Sequence, residues 1–451
     1  MDSESQGQVL SSLYDRLFDI ISYQPKSTGT PIDRSNTRLM MAKNYVLNPA
    51  DFANAVSPLN PTETSNFVGA AGFSSMVDPL PDKDNVEWID TGKTLSETYS
   101  SIVNGANATT EPDPKQQAAY DKAYAFLNKQ TSIKNVEGPP TVSFGPSAIA
   151  QTYDDNLTAY ITAISGYRAA MNGYDLSDPT DQRAWMAVEP GLQNTVNQAW
   201  NKWNREGKDN VEKAQALLAT SINDAVRHAI EEARILVSAS HKQAPLTGGL
   251  PWLLSYASPS NWMAESCKAS KITLRSERLS KEASTEANRY KGGVEARWGL
   301  WSVGGSHSYS EQESSQQMQA SKFELTAELI LVRIVRPWYN PLLFTMNHWN
   351  TNAFQAGQIP IAAMPWVATS LVVARNVTVN ADFTSEDKKH FSSETQTSAS
   401  VGWGPFAVSG NYSHSQSRDK FQSKFDAGGL HLPGLQVLGF VCTKTPPSPP
   451  E

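Results

Sequence analysis

Leu10, Leu13, Leu17, Ile20 and Ile21 recur at helical spacing near the start of the chain, and Pro25 marks a stop. The pattern predicts a first helix with a single apolar stripe. Residues 25–110 are rich in Pro, Asn, Ser and Thr with short apolar pieces, so irregular structure draped on a core is expected there. Helical spacing resumes at 114–132 and 155–172 and again from Leu192 to His241, with Gly207 as the expected break. Val211, Ala214, Leu218, Ile222, Ala225, Ala229, Ala233 and Leu236 then form a narrow stripe, which suits antiparallel helices in a bundle. "PLTGGLPW" (245–252) ends this pattern.

Beyond it the period changes from helical to two, over 271–445. At an offset of 105 residues this region aligns with itself without a gap. "KITLRSERLS" (271–280) falls over "NVTVNADFTS" (376–385), and "LILVRIV" (329–335) over "GLQVLGF" (434–440). Between these blocks Trp298, Gly299, Val303, Gly305, Ser308 and Ser310 coincide with Trp403, Gly404, Val408, Gly410, Ser413 and Ser415. A duplicated strand–insert–strand unit is expected. The second strand of copy one is apolar on both faces and should be central and buried.

Inside each insert the alternation changes parity across two residues. In copy one Val294, Ala296 and Trp298 share a face, and after Gly299-Leu300 so do Trp301 and Val303. A two-residue loop repairs the switch, pairing Trp298 with Trp301; in copy two Gly404-Pro405 pairs Trp403 with Phe406 and Val401 with Val408. Two hairpins with aromatic tips result. The flanking Ser-, Gln- and Glu-rich segments have too little apolar surface for a core and read as extended strands or short exposed helices.

The expected class is therefore α+β: a bundle-like helical domain at 1–245, with its irregular segment at 25–110, followed by a β-rich domain. The parts are a linker at 246–270, copy one at 271–336, an aromatic connector at 337–370, copy two at 371–445 and a Pro-rich tail at 446–451. The connector and its flanks offer Arg336, Trp338, Tyr339, Trp349 and Trp366 as a candidate ligand groove, although such residues more often cap the end of a sheet. Eight of the twelve tryptophans follow Gly249, which sets this half apart from the helical one.

Composition narrows the function. The net charge of -7 and sparse basic clusters argue against nucleic acid as a partner. Cys267 and Cys442, far apart in sequence, make a disulfide scaffold or thiolate metal site unexpected, and both should be reduced. The start, "MDSESQGQVLSSLYDRLFDIISY", has no basic-then-apolar leader, and no run of 18 apolar residues exists. A cytoplasmic protein, or one released without a signal peptide, is expected. None of the seven histidines has an HxxxH or HExxH partner, and GxSxG, Walker and GxGxxG motifs are absent. No metal, cofactor or enzymatic activity is expected.

What remains is a homo-oligomerising protein. Amphipathic hairpins held between sheet strands suit pore formation or membrane insertion, since several copies can close a barrel that leaves no unpaired edge in lipid. The duplicated plan is similar to the arrangement in perforin-like and cholesterol-dependent cytolysins over 271–445, without that family's signature motifs. Clean alternation covers roughly 7–9 residues of each arm, against about 9–11 for a membrane strand. The expected lipid- or subunit-contacting tips are Trp298, Leu300 and Trp301 with Trp403, Pro405 and Phe406. Self-assembly into a ring, shell or filament without membrane activity is the alternative, as is a glycan- or protein-binding module.

Overall fold

The computed structural model describes residues 3–22, 35–42, 45–55, 66–82, 86–89, 91–108, 114–133, 141–171, 173–174, 178–220, 224–242, 252–275, 284–289, 301–303, 324–346, 349–351, 364–381, 383, 385–397, 400–414, 420–426, 428–432 and 434–446. The strands that carry the fold are β1 (Thr37–Met41), β2 (Val46–Leu47), β3 (Tyr256–Ser258), β4 (Ser270–Arg275), β5 (Trp301–Val303), β6 (Glu324–Val335), β7 (Trp366–Asn380), β8 (Val401–Trp403), β9 (Phe406–Asn411), β10 (Lys420–Gln422), β11 (Lys424–Asp426), β12 (Gly429–Leu432) and β13 (Leu435–Lys444). One sheet runs β1-β13-β7-β6-β3, with β4 also on β6, β12 on β7, β11 on β12 and β2 on β13. Every pairing in it is antiparallel.

β6 is buried on both faces, as its sequence predicts. Leu325, Ala327 and Leu329 enter one core, and Ile330, Val332 and Ile334 enter another on the opposite face. The strand alternation therefore feeds two cores, and a slip of one residue would exchange them.

The internal repeat is present in the pairing itself. Ile272 faces Ala327 in copy one, and adding 105 to both gives Val377 and Leu432, which face each other in copy two. Thr273↔Thr326 and Leu274↔Leu325 map onto Thr378↔His431 and Val379↔Leu430 in the same way. Copy two departs after Leu432, where Gly434 at φ 72° divides the strand into β12 and β13.

The helices are α1 (Ser3–Ser22), α2 (Pro49–Phe52), α3 (Phe67–Val77), α4 (Leu95–Gly105), α5 (Pro114–Leu127), α6 (Ala148–Met171), α7 (Pro179–Trp203), α8 (Asp209–Thr220), α9 (Asp224–Ser240) and α10 (Ser385–Thr397). Gly207 breaks the long helical region as expected, at φ 98°; a Cβ there would lie 2.8 Å from Ile149 Cδ1. Val211, Ala214, Leu218, Ala229, Ala233 and Leu236 of the predicted stripe are buried, while the side chains of Ile222 and Ala225 lie outside the described residues.

Three organisational expectations need correction. Segment 25–110 holds α3 and α4, not only irregular chain. α3 (FVGAAGFSSMV) carries no charged residue and its small and apolar residues run round the helix, so it shows no amphipathic stripe. Next, 1–245 is mainly helical as expected but also gives strands to the sheet: β1 and β2 pair with β13, and α1 joins the core beneath it. Finally, the expected linker and connector each give residues to that sheet, as β3 and as the start of β7 from Trp366.

Within the bundle Glu232 of α9 is only 7% exposed. Burial raises its pKa from 4.5 to about 8, outweighing the lowering pull of the Tyr124 and Tyr120 hydroxyls, and nearby Asp121 adds to the rise. Between about 4.5 and 8 the folded state thus holds a proton that the unfolded chain has lost, so stability falls as pH rises through that window. Glu232→Gln should raise the melting temperature at pH 8, by an amount equivalent to a few kcal/mol, with the gain vanishing near pH 4.5. Thermal melts of both proteins across that range check the sign.

Candidate functional site

Both inserts leave and re-enter the sheet at one end. Arg275 faces Glu324, and Glu324 faces Asn380, where β7 ends; β12 starts at Gly429 beside it. The inserts, 276–323 and 381–428, are therefore of equal length and hang from one row of the sheet.

Insert two is folded back on the body. It contains α10, then β8, a turn at Gly404-Pro405, β9, β10 and β11. Gly404 takes φ 56°, the left-handed region that a glycine at the first loop position admits. Trp403 faces Phe406 as the alternation predicts, and their rings stack at 6.4 Å. The expected Val401–Val408 pair is not formed. A bulge between Val401 and Gly402 places Val401 opposite Ser409, re-aiming one arm by a residue.

The tip of this hairpin is covered. Trp403 is 1% and Phe406 0% exposed, Pro405 is also buried, and Trp403 and Phe406 share one core with the apolar stripe of α1. On the other side, Gln436 of β13 bonds both backbone groups of Ala407, accepting from its N–H at 3.0 Å and donating to its carbonyl at 3.1 Å. Ser423 N donates to Val408 O at 2.9 Å and Ser413 N to Val46 O at 2.7 Å. In this form the tip residues of copy two bury their surface within their own chain.

Of insert one, residues 284–289 and β5 are described, with a helical turn at 285–289 that falls over α10 at the 105-residue offset. Trp298 and Leu300 lie outside the described residues, and for Trp301 only the backbone is described. That backbone is informative: β5 pairs antiparallel with β8, Trp301 facing Trp403, Ser302 Gly402 and Val303 Val401. The two inserts thus meet in a small sheet of order β5-β8-β9-β10.

The register of this small sheet matches that of the large one. Stepping back along the β6 strand from Glu324 and forward along the β7 strand from Asn380 reaches Trp301 and Trp403 together, with no residue gained or lost. Stepping inward from Val379↔Leu430 reaches the tip pair Trp403↔Phe406 equally evenly, while the bulge sets Val401↔Ser409 one residue out of that register. Sequence alone gave the Trp403–Phe406 pair, but the shared register needed the long-range pairings.

The expected groove residues do not converge on one site. Trp338 and Trp349 are buried in the bundle core with Tyr339 packed against it, while Trp366 belongs to a core of the large sheet, its ring under the Arg38 guanidinium at 4.6 Å. Arg336 is buried and donates to the carbonyls of Ala368 and Val77 at 2.5 Å each. Burial lowers its pKa to about 10, against the opposing pull of Asp78. The Trp338 and Phe344 rings pack around Tyr99, so connector and α4 close one aromatic core.

A cavity of about 500 Å³ does open elsewhere, between α2, α3 and residues 255–264, walled by Phe52, Phe73, Tyr256, Trp262 and Met263. Sequence reading missed it because its wall is assembled from segments remote in the chain. No carboxylate, imidazole, amine or thiol lines it among the described residues. Cys267 and Cys442 are buried free thiols with burial-raised pKa values. Among the described residues no group of three or more His, Cys, Asp or Glu is placed to hold a metal ion, and no helix is long and apolar enough to cross a membrane. No family model, curated protein or solved structure matches this chain.

Because Phe406 is fully buried in the core that α1 and the large sheet share, Phe406→Ala should destabilise the isolated protein by about 3–5 kcal/mol, the range for removing a core aromatic ring. Urea unfolding read by circular dichroism measures this. A loss under about 1 kcal/mol would contradict the packing described.

Proposed function

We propose that this chain is a non-enzymatic, homo-oligomerising, pore-forming protein whose two inserts extend into β-hairpins that enter a membrane. The observation that carries this reading is the shared register of the two sheets. Each insert can straighten into a hairpin continuous with its parent strands, because the turn sits at the midpoint of 276–323 and of 381–428. In insert two the bulge between Val401 and Gly402 has to be released for the arms to run in this register. An insert whose only role was to cover the sheet would have no need of matched arm lengths.

Length and pattern support the same reading. Half an insert, such as 381–404, reaches about 80 Å at roughly 3.3 Å per residue, against roughly 30 Å of hydrocarbon. In an extended hairpin Thr395, Thr397, Ala399, Val401 and Trp403 share a face with Phe406, Val408, Gly410, Tyr412 and His414. The other face carries Glu394, Gln396, Ser398, Ser400, Asn411 and Ser413. One apolar and one polar face, with aromatic residues toward both ends, is the pattern of a barrel strand. Copy one repeats it with Tyr290, Val294, Ala296 and Trp298 against Trp301, Val303, His307 and Tyr309. A single chain supplies two hairpins, so a closed barrel needs several copies.

Purified protein with phosphatidylcholine vesicles should release an entrapped dye and form rings in negative stain. A polarity-sensitive probe on Val408→Cys and Tyr412→Cys should then report hydrocarbon, and on Ser409→Cys and Asn411→Cys water. Ordered particles without vesicles and without leakage would favour the self-assembling alternative. The same environment at neighbouring positions would refute the extended hairpin.

A further inference from the structure

We propose that α1 is an autoinhibitory clasp that holds both inserts in their folded-back form and has to leave before either extends. This rests on the pore-forming reading for its purpose, but the contact itself stands on geometry. Val9, Leu10, Leu13, Tyr14 and Leu17 are buried in one core with Val401, Trp403, Phe406 and Val408. Leu10 lies directly on the turn: its Cδ2 is 3.6 Å from where a Cβ on Gly404 would stand.

The polar side of the same helix reaches the other insert. The Asp15 carboxylate accepts from Ser284 N at 3.0 Å and from Ser284 Oγ, at the start of the helical turn 285–289. One helix thus grips insert two by apolar packing and insert one by a capping carboxylate. Straightening either insert would break these contacts, since residues 284 and 401–408 would have to move out in line with the sheet strands.

Polar contacts also tie α1 to the rest of the fold, beside the apolar stripe it places in the core under the sheet. Tyr14 Oη donates to Leu39 O at 3.0 Å, Ser165 Oγ donates to Ile20 O at 3.2 Å, and Arg168 pairs with Asp19 at 3.7 Å in a partly exposed bridge. Such a bridge holds little. Most of the attachment is the apolar stripe, and burial of that kind is non-directional. An amphipathic helix can bury the same stripe in a lipid interface. A membrane surface therefore competes for the clasp with the surface it covers, and frees the inserts where they are needed.

The test uses the full chain carrying Leu10→Ala or, separately, Asp15→Ala. Hydrogen exchange in solution should accelerate by about tenfold over 401–411 in the first and over 284–289 in the second, relative to 329–335 in the same sample. Dye release from phosphatidylcholine vesicles should begin sooner than for the unaltered protein. If α1 itself exchanges faster while 284–289 and 401–411 do not, the clasp is refuted. If those segments accelerate but neither wild type nor variants release dye, the clasp stands and the pore-forming reading falls. Should Leu10→Ala not fold, Asp15→Ala decides through 284–289, because its side chain is not part of the core.

Discussion

Antiparallel register is the constraint on which the rest of this molecule depends. Side chains alternate with period two, so the pairing of β6 with β4 and β7 decides which residues enter each of the two cores flanking the sheet. The same register fixes where the inserts begin and end. Because Arg275, Glu324 and Asn380 stand in one row, equal insert lengths translate into equal arms, and the turns fall at equal distances from the sheet. A single extra residue in either insert would break that correspondence.

The folded-back form is held by several modest interactions and one extensive one. Gln436 acts as a side-chain surrogate for a strand backbone, satisfying both polar groups of Ala407. Residues Lys424–Asp426 of β11 lie along β12, so insert two occupies the edge of its own parent strand. The extensive one is the apolar core that the stripe of α1 shares with Trp403, Phe406 and the sheet. Burial of that kind can be exchanged for a similar environment at small net cost, whereas the main-sheet ladder has no equivalent outside the protein. On the proposed reading, the body would remain intact while the inserts rearrange.

Sequence determined what period and symmetry can encode. The stripe of α1, the break at Gly207, the two-faced apolar run of β6, the 105-residue repeat and the Trp403–Phe406 pair were all legible. Each is set by residues close in the chain or by comparing two copies of one pattern. α3 was not legible, since a helix whose apolar and small residues run all round it carries no stripe to read. Only tertiary structure decided the partners. Alternation marked Trp403 and Phe406 as an apolar tip but could not say that they share a core with α1, and it gave Val401 opposite Val408 where a bulge selects Ser409. It grouped Arg336, Trp338, Tyr339, Trp349 and Trp366 by proximity in the chain, while the fold divides them between cores. Local pattern specifies which face of an element is apolar; what that face meets depends on contacts between residues hundreds of positions apart, which no local window contains.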